Sequence, residues 1–276
     1  MATDSAAARY VLDGSDEDLR RLLKISALLD AMTRTALATV DIRPGWRALE
    51  CGCGPLGAMP ILSDLVGPSG QVVGADFAAP TVARARSVVT ELGLRNVEVR
   101  VADINDPASS IGDSYDLVFS RCFLLHQRDP LRTLTRIRDA LRPGGWFVAM
   151  EPLPNPPPFS FPPNDDLRVA WELLHRAIER GGASPTAIDD LPATAREAGF
   201  DVVRLGGSFQ PADPATGFGL HAATTVAVRA QIIASGVATS EEVDGVIDRL
   251  HTAAQGGYHW VTSPLSLTVT LRAPGP

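Results

Sequence analysis

The 276-residue sequence predicts an α/β protein whose mostly parallel seven-stranded sheet carries helices on both faces. Three observations point there. Short apolar runs alternate with amphipathic stretches from Trp46 to Met150, a glycine-rich turn follows the first run, and two further strand-like runs come late in the chain.

The elements follow in order. Between residues 16 and 40, Leu19, Leu22, Leu23, Leu28, Leu29 and Met32 recur at helical spacing, giving an N-terminal helical cap over residues 1–44. After the turn Arg43-Pro44-Gly45, residues 46–50 read as a short buried strand. Residues 61–66 end a helix, stopped by Gly67-Pro68-Ser69-Gly70. Strand two covers 71–75, a helix covers 80–92 and ends at Gly93, and strand three covers 97–101 with its alternating valines. Strand four covers 115–120. Asp129 and Pro130 supply an N-cap and a first-turn proline for a helix running to Leu141. Pro143-Gly144-Gly145 then turns into strand five, 146–150, which closes a core over 45–151.

The character changes after that. Seven prolines fall among residues 151–163, which excludes both a helix and a central strand. Helices are expected over 165–180 and up to Gly199, then over 216–235 and 240–254. Strands are expected at 200–205 and 265–271. Residues 152–276 thus read as pocket-building helical insertions and closing strands of the same domain.

Composition narrows the function. Hydrophobic residues make up 45% and charged residues 21%, ordinary for a globular chain, and no apolar run is long enough for a membrane span. The first sixteen residues lack the order of a signal peptide, and three cysteines make no disulfide framework, so a cytoplasmic location is expected. The net charge of −7 argues against nucleic acid, because the denser basic groups, Arg84/Arg86 and Arg132/Arg136/Arg138/Arg142, lie on expected helix surfaces. A small-molecule substrate is expected, with neither nucleic acid nor membrane as partner. A homodimer is open, since the apolar stripe of the first helix suits either the cofactor site or a second subunit.

The most informative stretch is Glu50-Cys51-Gly52-Cys53-Gly54-Pro55-Leu56-Gly57, where glycines let a ligand approach backbone N–H groups. Gly52, Gly54 and Gly57 also match the dinucleotide pattern G-x-G-x-x-G, with Asp76 about 20 residues on. Three features favour a sulfonium cofactor over a nicotinamide one. Glu50 would repel a diphosphate and attract a sulfonium. Acids follow two successive strands, Asp76 and Asp103, suited to ribose hydroxyls and an adenine amino group. Some 45 residues also precede the first strand, whereas a dinucleotide unit commonly opens its domain.

The set Leu49-Glu50-Cys51-Gly52-Cys53-Gly54, Val73-Gly74-Ala75-Asp76-Phe77, Val101-Ala102-Asp103-Ile104, Tyr115-Asp116-Leu117-Val118-Phe119-Ser120 and Leu141-Arg142-Pro143-Gly144-Gly145-Trp146 resembles the class I, Rossmann-like S-adenosylmethionine-dependent methyltransferases. The match covers about residues 40–151. Tyr10-Val11-Leu12 and the helix after it resemble bacterial members acting on small metabolites. The resemblance implies S-adenosylmethionine as cofactor. It implies that Glu50, Gly52, Cys53 and Gly54 cradle the methionine part, with Tyr10 also at the cofactor. Asp76 would hold the ribose and Phe77 the adenine. Asp103 and the Ile104 backbone would read the adenine edge, and Ser120 and Arg121 would touch the amino-acid moiety. One departure stands out: the family's third glycine usually occupies the place of Leu56, and here Gly57 takes its job.

The expected reaction is methyl transfer to an O, N or C atom of a small metabolite, in bacterial secondary metabolism such as antibiotic biosynthesis. A base is needed only where the nucleophile must lose a proton. His126 and Glu151, after strand ends, are the candidates, each also readable as a structural hydrogen-bonding group. Trp171, His175 and Phe161 are candidate substrate contacts, with core packing as the alternative for the helix residues. Cys51 and Cys53 have no second pair at zinc spacing, so no metal is expected and a small apolar role is preferred. Two alternatives remain: a cyclase-type enzyme that binds the cofactor without transferring methyl, and a nicotinamide dehydrogenase.

Overall fold

The computed structural model describes residues 16–106 and 108–275, with side chains from residue 19 onward. Helix α1 (Asp16–Leu37) leads into β1 (Arg47–Cys51), α2 (Met59–Val66), β2 (Gln71–Asp76), α3 (Ala79–Glu91), β3 (Val97–Val101) and β4 (Tyr115–Arg121). A 3-10 turn (Leu124–His126) precedes α4 (Pro130–Ala140) and β5 (Leu141–Pro152). Then come β6 (Ser160–Phe161), α5 (Asp165–Arg180), α6 (Leu191–Glu197), β7 (Asp201–Ser208), β8 (Pro211–Ala212), α7 (Pro214–Ala234), α8 (Ser240–Ala254), β9 (Trp260–Thr262) and β10 (Ser266–Arg272).

Seven strands form one sheet in the order β3-β2-β1-β4-β5-β10-β7. The first five pair in parallel, and β10 runs antiparallel to both β5 and β7. The order reverses between β1 and β4, and in open α/β sheets ligands bind at such a crevice, beyond the strands' C-terminal ends.

Alternation sorts the strand side chains into two apolar layers. Ala48, Val72, Leu117, Phe119, Val148 and Met150 meet Leu29, Met32 and Leu37 of α1 together with α2 and α3. Leu49, Val73, Val118, Phe147 and Ala149 meet the layer that contains α4, α5, α7 and α8.

Two features differ from the sequence expectation. Strand β5 starts at Leu141, because Arg142 to Gly145 bulge out of the ladder: Tyr115 pairs with Leu141 and Leu117 already with Trp146. A positive φ of 71° at Gly144 makes that bulge possible. The sequence reading also missed a small sheet of order β6-β9-β8, whose strands of two or three residues are too short to show a period. Among the described residues no helix is long and apolar enough to cross a membrane.

Candidate active site

A cavity of about 990 Å³ opens beyond the C-terminal ends of β1 to β4 and extends under α1, α5 and α7. Its lining runs from the glycine turn, Asp76, Phe77, Asp103 and Ile104 to Trp171, Leu220 and His221. Helix α1 covers the cavity of its own chain, the first of the two placements its apolar stripe allowed.

The glycine turn is held by its neighbours. Both Glu50 oxygens accept from Ala58 N, at 2.8 and 3.0 Å, and the residue is 1% exposed. Burial pushes this carboxyl up to about 8, only partly offset by the Arg121 guanidinium. Gly57, at φ 54°, is where the family's usual glycine position has shifted by one; a Cβ there would press on the Glu50 carboxyl and Cys53 O. Gly52, at φ 67°, lies against the Phe123 ring, with 2.5 Å left for a Cβ. Over Gly54 a Cβ would meet nothing within 4 Å, so this backbone faces open cavity.

Asp76 joins the turn to α3: Oδ2 accepts from Gly54 N at 3.1 Å and Oδ1 from Ala78 N at 2.9 Å. Burial raises its carboxyl, against those donors. Asp103 Oδ1 accepts from Asn105 N at 2.8 Å. Arg121 leaves β4 toward α1, donating to Thr33 Oγ1 at 2.7 Å and Ser26 Oγ at 2.8 Å, while Ser26 Oγ donates to Gly57 O at 2.7 Å. Thr33 and Ser26 of α1 thus hold the Arg121 guanidinium, and Ser26 also ties the helix to the glycine turn.

On the far side, His126 ends its 3-10 turn in the cavity wall. Burial pushes its imidazole down to about 4, helped by the charges of His175 and Arg21, so it is neutral near pH 7. Trp171 also lines the cavity and donates from Nε1 to Pro154 O at 3.0 Å.

The structure brings Glu50, Gly52, Cys53, Gly54, Asp76, Phe77, Asp103, Ile104, Arg121, His126 and Trp171 to this one cavity. Four other expectations need correction. Glu151 is fully buried and does not line the cavity, accepting from Ser120 Oγ at 3.2 Å and from Phe123 N at 2.9 Å, so it braces the turn. Ser120 is likewise sealed beneath, as its partner. His175 sits behind the wall, its Nδ1 at 2.8 Å from Trp171 O. Phe161 stands 53% exposed on the small sheet, stacked with His259 and Trp260. Tyr10 lies outside the described residues. Cys53 enters the wall through a turn whose thiol is buried beside Gly74, and burial holds both Cys51 and Cys53 thiols well above their usual range. Among the described residues no cluster of His, Cys, Asp and Glu suits a metal.

Sequence reasoning missed Arg21, Ser26, Thr224 and Thr225 and gave His221 a weaker case than His126 and His175, yet all five line the cavity. A signal existed. Ser26 and Thr33 fall on the apolar stripe of α1, and His221, Thr224 and Thr225 share one face of an otherwise apolar α7.

Comparison with known proteins agrees with this geometry. Residues 42–160 match the family model described as "Methyltransferase domain". Nocamycin O-methyltransferase of Saccharothrix syringae is 36% identical over 45% of this chain and 44% of its own length. Aklanonic acid methyltransferase DauC of a Streptomyces species is 33% identical over 49% of this chain and 62% of its own. The chain spans about half the length of these relatives. A SAM-dependent methyltransferase structure from Aquifex aeolicus shares the fold, with a TM-score of 0.53 at 21% identity over 69% of this chain and 92% of that one. Residues 42–160, which span β1 to β5, are thus similar to methyltransferase domains, and within them the glycine turn, Asp76 and Asp103 open on one cavity.

Proposed function

We propose that this chain transfers a methyl group from S-adenosylmethionine to an O, N or C atom of a small metabolite in natural-product biosynthesis. The single observation that carries the reading is the continuous cavity: it joins the glycine turn to an apolar compartment walled by α5 and α7 and roofed by α1. Its volume suits a nucleoside cofactor and a small acceptor together. Nucleic acid does not suit a site lidded by a helix in a chain of net charge −7. Residues 45–151 act in this reading as the cofactor core, 1–44 as its cap and 152–276 as the acceptor compartment and closing strands.

The residues fit the cofactor. Gly54 leaves its backbone open to the cavity, and each Asp76 oxygen keeps a lone pair for a ribose hydroxyl beyond its backbone donor. Asp103 and Ile104 stand where an adenine edge would be read, and Glu50, bonded to Ala58 N, braces the turn from beneath. When bound, S-adenosylmethionine supplies an electrophilic methyl whose carbon–sulfur bond breaks, its electron pair left on sulfur, as the bond to the acceptor forms. The protein contributes position and dryness: α1, Trp171 and Leu220 exclude water, and Arg121 fixes the roof.

The test is calorimetric titration with S-adenosylhomocysteine beside NAD. We expect binding of the first and none of the second, weakened at least tenfold by Asp76→Ala. Binding of NAD alone overturns the reading.

A further inference from the structure

The cavity has two chemically different ends. Among the described residues its acidic lining groups are Glu50, Asp76, Asp103 and Asp129. The first three stand beyond β1 to β3, and Asp129 caps α4 by accepting from Arg132 N. At the other end Trp171, Leu174 and Leu220 give an apolar surface, and His221 follows Leu220 on α7. The His221 ring is held by one nitrogen. Its Nε2 lies 3.3 Å from Thr262 O, and a carbonyl only accepts, so Nε2 carries the hydrogen and Nδ1 keeps a bare lone pair. Nδ1 makes no hydrogen bond among the described residues. It is not sealed either, because the buried side-chain atom without a partner among those residues is His175 Nε2. The space on which Nδ1 opens is the cavity that His221 lines.

The carbonyl that sets this ring is itself well placed. Thr262 ends β9, and the turn after it leads to β10, whose Ser266 pairs with Pro152 at the C-terminal end of β5. Leu153 N donates to Leu265 O at 2.8 Å, closing that turn over β5. Ser263 Oγ reaches Met32 Sδ of α1 at 3.8 Å, beside the Thr33 that receives Arg121 from β4. His221 is thus tied to the strand ends next to the crevice where the sheet order reverses. Helix α7 lies outside residues 42–160, so the matched domain does not supply this group. Burial pushes the imidazole below its usual range, against the Thr262 carbonyl, which leaves it neutral near pH 7.

We propose that His221 Nδ1 takes the proton of the methyl acceptor, and that the acceptor is a phenol whose ring rests on Trp171, Leu174 and Leu220. This rests on the methyltransferase reading and names its acceptor class. A neutral amine or a carboxylate already offers a nucleophilic electron pair, whereas a hydroxyl is a weak nucleophile until its proton leaves. As the phenol oxygen bonds to the methyl carbon, its O–H bond breaks toward Nδ1, and the carbon–sulfur electron pair stays on sulfur. An oxygen that has gained a methyl group is a far stronger acid than an imidazolium, so even a depressed imidazole suffices. The imidazolium keeps its Nε2–H on Thr262 O and later passes the new proton to water. The methyl ether has no O–H for Nδ1, so the product is held less well than the phenol.

The experiment uses the whole chain saturated with S-adenosylhomocysteine and titrated with both naphthols, their methyl ethers, naphthoic acid and naphthylamine. Failure of S-adenosylhomocysteine to bind would remove the methyltransferase reading itself, before any probe is added. With it bound, at least one naphthol should bind about tenfold tighter than its own ether. His221→Phe should abolish that preference. His221→Asn places an amide oxygen near the Nδ1 position, where it accepts a hydrogen bond but takes no proton, so the preference should survive. In single turnovers with S-adenosylmethionine and the better naphthol, His221→Asn should nevertheless lose about a hundredfold in rate. His251→Asn, an exposed histidine substitution on α8, should change neither quantity. Tighter binding of the acid or the amine, equal binding of naphthol and ether, no naphthol bound, or a rate unchanged in His221→Asn would each overturn the proposal. If His221→Phe does not fold, the split between binding and rate in His221→Asn decides alone.

Discussion

The two ends of the cavity are built by different means. The cofactor end is made of turns that directly follow parallel strands, and its polar atoms meet partners close along the chain or on the adjacent strand: Glu50 with Ala58, Asp76 with Gly54 and Ala78, Asp103 with Asn105. The acceptor end is made of helix faces brought from far apart, as the Arg21–Thr224 contact across 203 positions illustrates. The first end is specified by backbone conformation and the second by which side chain a helix happens to present. Substitutions should therefore act on the two ends with different severity.

The largest effect belongs to the cofactor end. Gly57→Ala combines a left-handed conformation, about 1–2 kcal/mol for an L-residue, with displacement of the buried Glu50 carboxyl from Ala58 N, about 1–3 kcal/mol. The expected loss is about 2–5 kcal/mol of stability. Gly54→Ala shares the φ of 54° but meets no atom, so only the conformational part applies. Denaturant melts of the pair measure the difference. Equal losses would show that the turn is not braced by Glu50.

This division also explains what was legible in advance. The order of β1 to β5 and the turns after them can be read because each depends on a few consecutive residues whose types answer a local need, such as Gly52 for its positive φ and Asp129 for capping α4. Glu151 departs from its expected role for a tertiary reason. It does end a central strand, but the chain after β4 folds back over it, and Phe123 N takes its carboxyl away from the cavity. The place of Ser26 and Thr33 on the apolar stripe of α1 marks them in sequence as inward-facing, but nothing local names Arg121, 88 and 95 positions away, as their partner. Phe161 lies in Pro-rich chain that suits a pocket wall, yet β6 turns its ring outward.

A second, smaller effect concerns the floor shared by both ends, and it depends on pH. Glu50 and Glu151 have carboxyls raised from 4.5 to about 8 and about 7, in each case mainly by burial. A raised carboxyl favours the fold below its unfolded value, and that contribution is lost as pH climbs through the folded one. The buried histidines act oppositely: His126, His175 and His221 are depressed, so they favour the fold above about 6.5 and withdraw support as pH falls. Among these groups only the carboxyls change between about pH 6.5 and 8, and stability should decline across that window. Glu151→Gln keeps an acceptor for Phe123 N and cannot ionise. It should exceed the wild type at pH 8 by up to roughly 3 kcal/mol, because each tenfold difference in proton affinity between folded and unfolded chain is about 1.4 kcal/mol. The advantage should shrink toward pH 5. Thermal melts at pH 5, 6.5 and 8 test this, and a constant difference would refute it.

The smallest effect lies behind the acceptor wall, where the two ends differ most in how well polar atoms are satisfied. His175 Nδ1 bonds to Trp171 O, while its Nε2 is the buried side-chain atom without a hydrogen-bond partner among the described residues. Leaving a buried donor or acceptor unpaired costs about 1–3 kcal/mol, and a single neutral hydrogen bond contributes about 1 kcal/mol. His175→Leu removes both, and it fills a site already bordered by the Trp171 ring at 4.3 Å between centroids. The balance favours the variant by roughly 1 kcal/mol, or a few degrees in the midpoint of thermal unfolding. His175 does not line the cavity, so S-adenosylhomocysteine should bind the variant as it binds the wild type. A loss of stability would mean instead that Nε2 is satisfied in solution, by ordered water, and that this wall is as fully bonded as the glycine turn opposite.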